Sequence, residues 1–153
     1  MKSRDFVAMI QEKRKKFLDD LTPTVETLYG RVPSPDELLE QLKFFAYAEY
    51  RSSGINMIAF HNTPAKDYEL KGELARQSWE EHKHYMLFTT AAKEVSGREV
   101  DGDQLTAPDL WKAYFDLHEK GAREWGLYKV AGENFGGEPA AIIIYKTALK
   151  YGN

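Results

Sequence analysis

Cysteine is absent from the 153 residues of this chain. That excludes disulfides, thiolate catalysis, iron–sulfur clusters and cysteine-based zinc sites. Any metal must be held by carboxylate and imidazole. An excess of charge of one sign is also missing. Lys and Arg number 21 against 24 Asp and Glu, a formal net charge of −3. No electrostatic case for a nucleic-acid partner follows. The basic run Lys13 to Lys16 has acidic neighbours and reads as a solvated helix face. Long apolar runs are lacking as well. The longest, Ala140 to Tyr145, is far too short to cross a bilayer, so no membrane partner is expected. The stretch MKSRDFVAMIQEKRKK has no signal-peptide core. The expected compartment is the cytoplasm. No Gly-rich phosphate loop and no Ser-His-Asp order stands out.

Apolar residues make up 42% of the chain and aromatics 13%. That suffices for one helical domain with a sizeable core. Phe6, Ile10, Phe17 and Leu21 recur at helical spacing and predict a helix over 4–20. Pro23 interrupts it, and Thr24 to Tyr29 forms a further helical piece. Ser34-Pro35-Asp36-Glu37 is a helix start, with an N-cap, proline at the first position and acids in the first turn. This second helix runs to about His61. The third opens at Pro64 and runs to Val95, where Gly97 stops it. Thr106-Ala107-Pro108-Asp109 starts a fourth segment, which Gly121 breaks. A last helix spans about Ala122 to Lys150, kinked at Pro139. Ala140 to Tyr145 alone has the look of a strand. Nothing else would pair with it, so helix is preferred.

The chemistry concentrates in Leu70 to Phe88. Leu70, Leu74, Gln77, Glu81, His84 and Phe88 form one helical seam. Glu81 and His84, an E-x-x-H pair, lie one turn apart and point inward on this reading. An unpaired carboxylate in a core is costly, and a metal ion offsets that cost. The seam of the second helix is Leu38, Leu42, Phe45, Glu49, Ser52, Asn56 and Phe60. Glu49 and Glu81 are 32 residues apart, with the predicted turn midway. Antiparallel helices joined there bring both to one height, each ~24 Å from the turn. The last helix offers an echo. Its seam is Gly126, Val130, Glu133, Gly137, Ala140 and Ile144, with small residues beside a carboxylate.

An inward Glu followed by an antiparallel E-x-x-H helix resembles the ferritin-like carboxylate di-iron proteins. The resemblance covers about residues 35–150. It implies an all-α, ferritin-like up-down bundle over 34–153, with 1–33 as extra N-terminal helical segments. It implies Glu49, Glu81, His84 and Glu133 as metal ligands, with Glu81 bridging two irons. It implies an iron oxidoreductase that activates dioxygen to oxidise a small organic substrate, with manganese as the alternative metal. The haem-oxygenase-like di-iron oxidases share the ligand types and differ in helix crossing. A second E-x-x-H is expected near position 165, and the sequence stops at Asn153. Three readings follow: a piece of a longer protein, two chains sharing a site, or a metal-free bundle serving as a structural partner. An uncovered seam around Val130, Ala140 and Ile144 favours a homodimer or larger assembly.

Other candidates have plainer readings. His61 is a capping or surface residue at the turn. His118 with Glu119 and Glu124 reads as a solvated face. Tyr47, Tyr50 and Tyr85 flank the ligand candidates, where core packing is the commoner role.

Overall fold

The computed structural model describes residues 3–124, 132 and 137–151. Among them are five α-helices, a short 3-10 turn and no strand: α1 (Ser3–Tyr29), α2 (Pro35–Asn62), α3 (Tyr68–Ser96), the 3-10 turn (Gly102–Gln104), α4 (Asp109–Glu124) and α5 (Glu138–Tyr151). The strand-like stretch Ala140 to Tyr145 is helical and belongs to α5. No described helix is long and apolar enough to cross a membrane.

The helices form two compact units, α1 with α5 and α2 with α3 and α4. In the first, α1 runs unbroken through Pro23, against the expected interruption. Pro23 is exposed, so water can take the carbonyl that the missing N–H leaves free. Gly30 ends α1. A side chain there would place Cβ 2.2 Å from the Glu26 carbonyl oxygen. Val25, Ala140 and Ile144 are buried. The expected bare surface at Ala140 and Ile144 is therefore absent, because α5 packs on α1. Val130 and Glu133 lie outside the described residues.

The second unit is built on the α2–α3 hairpin. A capping box starts α2. The Ser34 hydroxyl accepts from Glu37 N at 3.3 Å, and the Glu37 carboxylate accepts from Ser34 N at 2.8 Å. Two orphan donors are thereby satisfied. The helix ends at Asn62, and Thr63 to Asp67 make the turn. Thus Pro64 does not open α3, which begins four residues later at Tyr68. Lys71 locks the turn by donating to the carbonyls of Phe60 at 2.6 Å and Thr63 at 3.1 Å. Its ammonium also sits 4.3 Å from the Phe60 ring centroid. A cation is favoured at this negative end of the α2 dipole. Gly97, at φ 70°, caps α3 in the left-handed conformation that glycine adopts freely.

α4 packs on α2, and the two run in the same direction. The Trp111 ring packs tilted against Phe44, Phe115 meets Tyr47 edge-on, and Asp116 and Glu119 accept from Arg51. The core joins Ile55, Ala59, Leu74, Phe115 and Ala122. Gly121 does not break α4, which continues to Glu124. Its neighbour Ala122 is fully buried, so this turn is held by packing that outweighs glycine's weak helix propensity.

Candidate metal centre

Antiparallel pairing of α2 and α3 brings Glu49, Glu81 and His84 together. One ligand atom from each lies within 4.8 Å of the others. His84 Nδ1 is 3.4 Å from Glu81 Oε2 and 3.6 Å from Glu49 Oε2. The Glu49 and Glu81 side chains are 11% and 14% exposed, and that of His84 is 52% exposed. The carboxylates thus point inward as expected. The imidazole, expected inward too, stands at the mouth. It lies 300° round the helix from Glu81, and that offset turns it off the stripe.

The neighbouring layers bracket the cluster. One turn toward the start of α2, Phe45 and Phe88 meet with ring centroids 5.3 Å apart. On the other side, toward the hairpin turn, the Ser53 and Ser78 hydroxyls each donate to the other's backbone carbonyl at 3.0 Å. Serine lets the helix backbones approach closely here. From the phenylalanine layer to the serine layer the numbering rises by eight along α2 and falls by ten along α3, as antiparallel pairing requires. Tyr50 and Tyr85 touch beside the cluster, with centroids 5.7 Å apart. Tyr47 faces the other way. It accepts from Arg51 at 3.2 Å and packs on Phe115.

Two carboxylates close together in a partly dry seam repel each other, and a cation between them relieves that repulsion. A divalent metal fits this donor set of two oxygens and one nitrogen. Among the described residues, the His84 imidazole lies within reach of both carboxylates. Glu80, on the outer face, accepts from Arg76 at 2.6 Å and does not join the cluster.

Of the other candidates, His61 is exposed at the end of α2. His118 packs on the Tyr114 ring at 4.2 Å, and Glu119 accepts from Arg51 and Arg123. Glu119 thus belongs to an ion-pair network joining α4 to α2, whereas Glu124 is exposed, as a solvated face requires. Sequence reasoning placed Asn56 and Gln77 on the seams but gave them no role. Asn56 Nδ2 and Oδ1 and Gln77 Oε1 are buried without a hydrogen-bond partner. A polar residue on an apolar stripe was the available signal. No protein-family model, curated protein or solved structure matches this chain.

Proposed function

We propose that the α2–α3 hairpin is a metal-binding element in which Glu49, Glu81 and His84 hold one divalent transition metal. The observation that supports it most is the convergence of three ligand atoms from two helices within 4.8 Å. Two of them come from carboxylates that the fold removes from most of their water. Three protein ligands leave coordination positions for small molecules. The half-exposed His84 leaves the cluster reachable from solvent.

With iron bound, this centre would supply dioxygen activation, and the chain would act as an oxidoreductase on a small organic substrate. The residues themselves do plainer work. Glu49 and Glu81 provide negative charge that neutralises a dication. The Phe45–Phe88 layer keeps water from one side. The Ser53–Ser78 bonds hold the helices at a fixed spacing. α2, α3 and α4 run alternately up, down and up, which suits a ferritin-like bundle as the finer reading of the fold.

A second reading is favoured by one observation. The His84 ring nitrogen already contacts both carboxylates, at 3.4 and 3.6 Å, so the three side chains can serve as a direct link between α2 and α3 in a metal-free structural bundle. Cobalt titration separates the two. The metal reading expects saturation near one cobalt per chain with visible ligand-field bands. Absence of tight cobalt, iron and manganese binding would leave the structural reading standing.

A further inference from the structure

Asn56 is 0% exposed, yet neither atom of its side-chain amide has a hydrogen-bond partner. Gln77 Oε1 is buried and equally unpaired. Each such group costs about 1–3 kcal/mol, which leucine at either place would avoid. The atoms are not scattered. Asn56 lies seven residues beyond Glu49, on the same stripe of α2. Gln77 lies four residues before Glu81 on the matching stripe of α3. Both are displaced from the triad toward the hairpin turn, by ~10 Å and ~6 Å along their helices. The serine hydroxyls at intermediate height are satisfied by each other and the facing backbone. By the helical step of about 100° per residue, Ser53 and Ser78 fall on the Tyr50 and Tyr85 side of the Glu49 and Glu81 stripes, and Asn56 and Gln77 fall on the opposite side.

We propose that Asn56 and Gln77 form a polar subsite for an uncharged, carboxamide-class group of a small molecule whose other end reaches the triad. Only that second clause rests on the metal reading. Asn56 offers a donor and an acceptor, and Gln77 offers an acceptor. A primary amide, with two N–H donors and one carbonyl acceptor, matches all three atoms. A carboxylate does not match, because it has no hydrogen to give two acceptor oxygens. An ammonium ion does not match either, because nothing accepts from Asn56 Nδ2.

Acetamide is the probe, with acetate as its charged counterpart. Each is titrated into the metal-free and the zinc-treated protein while NMR follows the Asn56 side-chain amide. Acetamide should give a saturable shift in both forms, with contacts from its methyl group to the Asn56 amide. Acetate should bind at least about tenfold more weakly, the cost of one unmatched polar contact. Asn56→Leu should abolish acetamide binding, and Gln77→Met should weaken it about tenfold. Glu80→Ala, on the outer face against Arg76, should leave acetamide binding unchanged, and zinc uptake is read on the same samples, so failure of the metal reading is seen separately. Acetate binding as tightly as acetamide would overturn the subsite. So would unchanged binding in Gln77→Met, or one internal water at Asn56 with no uptake of acetamide. Should Asn56→Leu not fold, Gln77→Met and the methyl contacts decide alone.

Discussion

Ser53 and Ser78 exchange hydrogen bonds, each hydroxyl donating to the other residue's backbone carbonyl at 3.0 Å. They are 25 positions apart in the chain, so only the pairing of α2 with α3 creates the contact. Ser53→Ala or Ser78→Ala should each cost about 1 kcal/mol, the usual worth of one such bond. A double-mutant cycle in urea unfolding should show coupling, because the serines share one network. Additive losses would show that the bonds do not act together.

Glu81→Ala should remove most of the bound metal, while Glu80→Ala should not. The two residues are adjacent, but Glu81 faces the seam and Glu80 faces Arg76. Elemental analysis of purified variants after cobalt loading checks this. If both variants retain cobalt, the triad is not the binding site.

Metal should stabilise the fold, because the ligand atoms converge only when α2 and α3 pair. At free metal about 100 times the dissociation constant, the gain is about 2.7 kcal/mol. Adding a chelator should lower the melting temperature of the natural protein. The same chelator should leave Glu81→Ala unaffected. An equal response in both proteins would place the stabilising metal elsewhere.

Lys71→Met keeps the length and apolar stem of the side chain but removes its donors. The carbonyls of Phe60 and Thr63 and the face of the Phe60 ring lose their cation. The expected loss is about 1.5–3 kcal/mol, the range for hydrogen bonds to charged groups. Lys71→Arg should recover part of it. Chemical denaturation followed by circular dichroism measures both, and an unchanged midpoint in Lys71→Met would make the lysine contact incidental.

Much of the architecture follows from local chemistry. Ser34, Pro35 and Glu37 define the start of α2, and Gly97 defines the end of α3, because capping depends on a few adjacent residues. The helical period put Glu49 and Glu81 on inward stripes, and their equal distance from the turn put them at one height. Pro23 and Gly121 misled for a shared reason. Propensity judges each residue alone, whereas helix α1 leaves Pro23 in solvent and α4 buries Ala122 beside Gly121. Prediction also extended α3 back to Pro64, since a proline serves equally in a turn or a first helical position.

What the sequence determined by itself is the all-helical class, the lack of any thiol chemistry and the pairing of Glu49 with Glu81. Each depends on composition or on period along one helix. The tertiary structure decided the rest. It left His84 at the mouth, since a helix offset becomes exposure only when the partner helix is in place. It sent Tyr47 to α4, joined Ser53 to Ser78 and enclosed Asn56, because these depend on how helices distant in the chain lie side by side. It also buried Ala140 and Ile144 in the unit formed by α1 and α5, a pairing across most of the sequence that no local pattern encodes.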